Sequence, residues 1–189
     1  MKKLVLPLFC ALLIGCNDDV LPKPKGYLRL DYPSASYEEA NIPLPFKFDK
    51  NTLAEPIKSI KQAENAKGVD IKYPSMKATI YITYKGVNTS NLDSLLRDTQ
   101  NLTQKHTMKA DEIIQSEFAR PNDKVYGMLY EVGGDAASQS QFYVTDSVNH
   151  FVSGSLYFYA KPNYDSIYPA SEYLKQDIKR IMESIQWKE

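Results

Sequence analysis

The sequence predicts an α/β (α+β) fold, a single antiparallel β-sheet covered by helices. Three observations carry that prediction. Period-two apolar runs stand in a row at residues 125–132, 139–145 and 150–160, joined by the short loops Gly133-Gly134-Asp135 and Asp146-Ser147-Val148-Asn149. Connections of that kind make hairpins, so the three runs form an antiparallel meander. Both faces of the meander are semi-apolar, because Val152, Gly154, Leu156 and Phe158 alternate with Phe151, Ser153, Ser155, Tyr157 and Tyr159. A sheet open to water on one side has no need of this, so each face calls for a cover. Two stretches at helical spacing supply one each. The first carries Leu92, Leu95, Leu96, Thr99 and Leu102, and the second, over residues 170–185, carries Leu174, Ile178, Ile181, Met182 and Ile185.

At the N-terminus, Lys2 and Lys3 precede an apolar run over residues 4–14 that closes on Leu13-Ile14-Gly15-Cys16. A basic start, an apolar middle and a small residue before the cut describe a secretory signal. Cys16 directly after Gly15, with Leu13 three positions ahead of it, makes the site a lipobox. Residues 1–15 are thus a lipoprotein signal peptide, and cleavage between Gly15 and Cys16 leaves a cysteine that carries acyl chains, palmitate among them. The run falls short of the ~20 residues that span a bilayer. Buried lipid contributes about 0.8 kcal/mol per methylene, so the covalent lipid on Cys16 holds the chain to a membrane. No other cofactor is expected.

Residues 16–45 read as the acylated cysteine and a Pro-rich tether, with Pro22, Pro24, Pro33, Pro43 and Pro45. As polyproline II at ~3.1 Å per residue, residues 17–25 reach about 28 Å. The alternation Gly26-Tyr27-Leu28-Arg29-Leu30-Asp31-Tyr32 suits either the tether or a segment docked on the body. Residues 46–189 form one globular domain. Its candidate strands are Phe46-Lys47-Phe48, Ile57-Lys58-Ser59-Ile60, residues 69–73 and residues 76–85, the last ended by Gly86. Asn88-Thr89-Ser90 offer caps for the first helix, which runs to about Thr107. Residues 110–119 fit helix or strand, and Arg120-Pro121-Asn122-Asp123 closes them as a turn. Pro169 stands at the start of the closing helix. Strands, helix, meander and closing helix in that order are similar to the Mog1/PsbP-like sandwich.

The chain has 23 basic and 23 acidic residues, and loses Lys2 and Lys3 with the signal. A slightly acidic mature chain has no basic stripe for nucleic acid. Cys10 leaves with the signal and Cys16 is acylated, so packing alone must hold the domain together in a disulfide-permissive compartment. His106 and His150 are the only histidines. His106 ends a helix, where the macrodipole favours it, and His150 opens a strand. No Gly-x-Ser-x-Gly elbow, His-x-x-x-His pair or calcium loop accompanies them, so neither a catalytic nor a metal site is assigned. Gly133-Gly134 lacks the following helix of a phosphate-binding turn and reads as a hairpin bend.

Fourteen tyrosines are more informative, and Tyr81, Tyr143, Tyr157 and Tyr159 fall on the outer sides of predicted strands. Either a helix covers them or they meet a partner, since tyrosine joins an apolar body to a polar tip. The candidate partner surface is Pro22, Pro24, Gly26 and Tyr27 together with Tyr157 and Tyr159.

Pro22-Lys23-Pro24-Lys25-Gly26-Tyr27 with Arg29 and Asp31, Pro45-Phe46-Lys47-Phe48, Tyr73-Pro74, Lys105-His106-Thr107, Lys124-Val125-Tyr126-Gly127, Ala136-Ala137-Ser138 and Trp187-Lys188 stand in a characteristic order over nearly the whole chain. In that order and spacing the mature chain resembles the gliding-motility lipoprotein GldD family of the Bacteroidetes. The resemblance implies a cell-envelope lipoprotein needed for gliding, tied to type IX secretion, with other gliding or secretion envelope proteins as partners and no known catalytic activity. An outer-membrane lipoprotein facing the periplasm is the expected address, with the cell surface as the alternative, because the acidic Asn17-Asp18-Asp19 resembles a surface-export signal but is short. Asp146-Ser147-Val148 and Asp165-Ser166-Ile167 match the envelope O-glycosylation pattern of such bacteria, which makes Ser147 and Ser166 glycan candidates. The alternative is a periplasmic, lipid-anchored ligand-binding or hydrolytic domain with His106 or the Gly133-Gly134 loop at a pocket.

Overall fold

In the computed structural model, which describes Gly26 and residues 29–40, 42–105, 109–159 and 164–188, the chain enters through three short strands: β1 (Tyr37–Glu39), β2 (Phe46–Lys47) and β3 (Asp49–Asn51). A first meander follows, β4 (Lys61–Ala63), β5 (Ala66–Tyr73) and β6 (Ala78–Gly86). Helix α1 (Leu92–Gln104) leads to a second meander, β7 (Ala110–Arg120), β8 (Val125–Gly134), β9 (Ser138–Thr145) and β10 (His150–Phe158). Helix α2 (Tyr164–Ser184) and β11 (Gln186–Trp187) complete the fold. The main sheet has seven strands in the order β4-β5-β6-β10-β9-β8-β7, with every neighbouring pair antiparallel. The predicted mixed α/β architecture on a large antiparallel sheet with two helices is thus what the described residues form.

One face of the sheet is the core. Val69, Ile71 and Tyr73 of β5, Ile80 and Ile82 of β6, Val152 and Leu156 of β10, and Phe142 and Val144 of β9 are buried there. Leu174, Ile178, Ile181 and Met182 of α2 close over them as their spacing predicts, joined by Ile185 just past the helix. The entering chain packs into the same layer through Ala40, Ile42, Leu44, Phe46 and Phe48. Phe46 is the predicted start of the body, yet β1 pairs with β3, and Ala40, Ile42 and Leu44 are buried, so the chain joins the core ahead of Phe46.

What ties that segment down is a buried carboxylate. Asp177 of α2 accepts hydrogen bonds from Asn51 Nδ2 at 3.0 and 3.1 Å and from the Tyr37 hydroxyl at 2.9 Å. Burial pushes its carboxyl above the usual range, and the hydrogen bonds from Asn51 and Tyr37 only partly offset this. Tyr32 packs on the Tyr173 ring at 5.2 Å from the next turn. Contacts spanning more than a hundred residues therefore anchor the entry to the closing helix.

Several local expectations change. The candidate strand at Ile57 to Ile60 is extended coil; Glu55 N–H bonds the Lys72 carbonyl there, and pairing begins only at Lys61. Residues 110–119 resolve as strand. Helix α1 buries Leu95, Thr99 and Thr103 at four-residue spacing and leaves Leu102 exposed. It ends at Gln104, ahead of the predicted Thr107, which lies outside the described residues. Its N-cap is Asn91, whose side chain bonds the Gly86 carbonyl and the Asn88 N–H. Helix α2 starts at Tyr164, with its N–H on the Asp135 carboxylate, so Pro169 lies inside the helix and costs one backbone hydrogen bond.

Two predictions follow from this packing. A β-carbon at Gly154 would lie 2.1 Å from Cε1 of Phe142, the ring facing it across the β9–β10 pair. Gly154→Ala is expected to destabilise the domain by about 1–3 kcal/mol in urea unfolding, and an unchanged midpoint would contradict this close approach. Asp177 binds its proton more tightly in the folded state than in the unfolded chain, where the pKa is about 3.9. It therefore favours folding at low pH and loses that contribution as pH rises through the native value. Asp177→Asn should flatten this part of the stability profile above about pH 4; an identical slope in both proteins would refute the assignment.

Candidate functional site

The chain leaves β6 in the middle of the sheet and re-enters at the far edge, β7. Helix α1 makes the crossing over the outer face of the second meander, where Thr103 Oγ1 lies 3.1 Å from Gln141 Oε1 of β9. Leu95 of the helix is buried, as are Tyr130 of β8 and Phe151 of β10 on that face. The outer side of β5 and β6 lies away from this path, and Lys61, Lys72 and Tyr159 are exposed there. Among the described residues the cover of this face is therefore partial, where cover of both faces is predicted.

Local geometry builds a patch on that open area. Lys77 ends the turn after β5 in the left-handed region (φ 50°), and its carbonyl accepts the Tyr159 N–H at 2.7 Å, which sets the chain beyond β10 over β6. The Tyr159 hydroxyl, on a residue 62% exposed, lies 2.6 Å from that of Tyr81 and accepts from Thr79 Oγ1 at 3.2 Å. The Tyr157 ring meets Tyr81 edge-on at 5.8 Å. Lys61 Nζ sits 5.5 Å from the Tyr81 ring centre and pairs with Asp70 at 2.7 Å. Tyr81 is pushed up to about 12, chiefly by its hydrogen bond to Tyr159 and also by burial. The bonds from Thr79 and Tyr81 move Tyr159 down, so it gives up its proton first. Three phenols, an ammonium and a carboxylate on a flat sheet suit docking: rings to cover, polar atoms to orient.

A second feature lies at the opposite end of the sheet. Glu112, Glu131, Gly133, Gln139, Tyr164 and Lys175 are among the residues around a cavity of about 220 Å³ between β7, β8 and α2. Lys175 Nζ is 2.7 Å from Glu172 and 3.5 Å from Glu131; burial alone would lower its pKa, but the two carboxylates raise it. Gln139 donates to the Gly134 and Ala136 carbonyls, while its Oε1 is buried without a hydrogen-bond partner among the described residues. The Gly133-Gly134 pair, expected as the hairpin bend itself, instead ends strand β8 and pairs with β7, opposite Glu112 and Ala110. Gly134 takes φ 89°, and Asp111 N would be 2.7 Å from a β-carbon there.

Of the candidate partner residues, Gly26 is exposed, whereas Pro22, Pro24 and Tyr27 lie outside the described residues, as do Gly15, Cys16 and His106. Tyr159 is open, Tyr157 is half-buried against Tyr81, and Tyr143 stacks on Phe151 at 5.6 Å. His150 bonds the Tyr84 hydroxyl at 3.0 Å and stacks on Trp187 at 5.0 Å, a packing role at the β10 start. Ser147 is exposed in the β9–β10 turn with φ 67°. Ser166, expected in a loop, is in the first turn of α2. Lys61, Asp70 and Gln139 carried no sequence signal, because only strand pairing brings them to these places. Among the described residues no three His, Cys, Asp or Glu side chains converge as metal ligands, and no helix is long and apolar enough to cross a membrane.

Sheet, partial cover and aromatic patch define a small α/β domain that presents surfaces more than clefts. The chain belongs to the gliding motility lipoprotein GldD family, whose family model matches residues 17–187. Membership gives it a role in gliding and an association with the cell envelope as a lipoprotein. No curated protein and no solved structure matches it.

The patch makes a specific prediction. Tyr81→Phe removes the donor that favours the Tyr159 phenolate, so the Tyr159 pKa should rise in ring-labelled tyrosine NMR. A Tyr159 titration that stays in place would show that the 2.6 Å contact is not formed in solution.

Proposed function

We propose that this chain is a non-enzymatic outer-membrane lipoprotein, anchored by acylated Cys16 and facing the periplasm, that assembles or stabilises the gliding and type IX secretion machinery. The observation that carries the reading is the Tyr81–Tyr157–Tyr159 patch left open by the α1 crossing. In it an exposed phenol is already oriented by two hydrogen bonds and flanked by Lys61 and Asp70. Pre-ordered aromatic side chains lose little entropy on docking, and tyrosine is enriched at the centres of protein interfaces. The lipid would hold this patch near the membrane, with Pro22, Pro24, Gly26 and Tyr27 in the intervening segment as a second contact. The element order supports a Mog1/PsbP-like sandwich. Ser147, exposed in its turn, is the better placed of the two proposed glycan acceptors.

A second reading is supported by the cavity beside Gly133. The open acceptor of Gln139 and the glutamates around it suit a small donor-rich or cationic ligand, as in the periplasmic binding alternative.

Capture of the acylated protein from envelope extracts tests the main reading. Tyr157→Ala with Tyr159→Ala should lose one or more specific partners while the domain stays folded; an identical partner set would remove the patch from the proposal. Cys16→Ser should release the chain from membranes and abolish gliding, and full gliding in that strain would show that the anchor is dispensable.

A further inference from the structure

The two edges of the main sheet are unlike. At one, β4 is three residues long and carries Lys61, a short and charged edge of the kind that discourages pairing. At the other, β7 runs for eleven residues, is hydrogen-bonded among the described residues only to β8, and leaves most of its side chains exposed, including Ile114 at 46%. A long edge with an exposed isoleucine is a template for another strand.

We propose that β7 pairs with β7 of a second copy of this chain, extending the two sheets into one. A two-fold axis normal to the sheet keeps both α2 layers on the same side. It therefore brings together only residues that point to the same face, which restricts the possible registers. In one of them Glu112 stands opposite Arg120, Ile113 opposite Ala119, Ile114 opposite Phe118, and Gln115 opposite Glu117, with Ser116 meeting itself. Opposite charges then face each other at the ends and apolar side chains toward the middle. The neighbouring registers lack this match: one sets Glu112 against Phe118 and Ile113 against Glu117, and the other sets Glu117 against itself and Ile114 against Arg120. Charge complementarity along a single strand thus selects a second copy as the occupant.

The register also brings the copies together at the cavity. Glu112 and Ile114 form its β7 side. The second copy's Arg120 and Phe118 would stand directly beside them and close that rim. Arg120 is already held in place, bonding the Ile185 carbonyl and pairing with Asp123 at 3.1 Å. The pairing does not depend on the tyrosine patch, which lies at the other end of the sheet.

Ser116→Cys in the full chain, expressed in envelope membranes and treated with a mild oxidant, tests the register. A disulfide-linked dimer is expected at several times the level seen with the unsubstituted chain, which accounts for any contribution from Cys16. Gln62→Cys on β4 should give no more than that background. Adding Ile114→Lys or Glu112→Lys, both at exposed positions, to Ser116→Cys should return the dimer to background. The proposal is overturned if Ser116→Cys cross-links no better than Gln62→Cys. It is equally overturned if both lysine variants leave the dimer unchanged, or if they abolish gliding in cells where Ser116→Cys forms no dimer, since the edge then serves a different partner.

Discussion

The pairing of β6 with β10, in register from Ala78 opposite Phe158 to Gly86 opposite His150, is the seam on which the rest of the structure depends. It joins two meanders made separately by local hairpins. Because the second meander ends at the seam, it must begin at the far edge, and the chain has to cross the sheet between β6 and β7. Helix α1 is that crossing. Its path decides which strands gain an outer cover, which tyrosines stay in water, and which strand is left as an open edge. The surface features proposed as functional are thus consequences of topology more than of special residues. Gly154, at the middle of β10, admits the Phe142 ring from β9 on the other side of the strand, where a β-carbon would collide.

The core face is held differently. There the apolar stripe of α2 and the entering chain bury the sheet, and specificity comes from the Asp177, Asn51 and Tyr37 network. A buried carboxylate costs more free energy the fewer hydrogen bonds it receives, so the network stabilises only one placement of β1 and β3 against α2. This makes β1 with Ala40, Ile42 and Leu44, which the sequence assigns to the tether, part of the body.

Much of this architecture was legible in the sequence for physical reasons that can be named. β8, β9 and β10 are runs rich in β-branched and aromatic residues that stand close together and are separated by turn residues, so hairpin pairing follows from local chemistry. The α2 stripe was legible because Leu174, Ile178, Ile181 and Met182 keep helical spacing on a fully buried side. Residues 110–119 were ambiguous because β7 is an edge: with only β8 beside it and little cover, Ile113 and Ile114 need not alternate cleanly. Ile57 to Ile60 has strand composition but follows Pro56, and the Glu55 bond to Lys72 holds it apart from the ladder. The tyrosines were visible as outward residues, yet their grouping was not. Tyr81 and Tyr159 are 78 positions apart and meet only because the seam places β10 beside β6. The resemblance to the family was legible from motif order alone and is shown by the match over residues 17–187.

We propose that the outer side of β5 and β6, open around Lys72 and Tyr159 among the described residues, is covered by a partner in the envelope. The most direct measurement is the labelling rate of a cysteine placed at exposed Lys72, beside Tyr159, by a membrane-impermeant maleimide. It would be read in spheroplasts or opened envelopes and again after detergent purification, with Glu64→Cys as an exposed reference away from the patch. Slow labelling is expected at position 72 in the envelope and fast labelling once the chain is purified, with the reference equally fast in both. Equal, fast labelling of both positions in the envelope would contradict it.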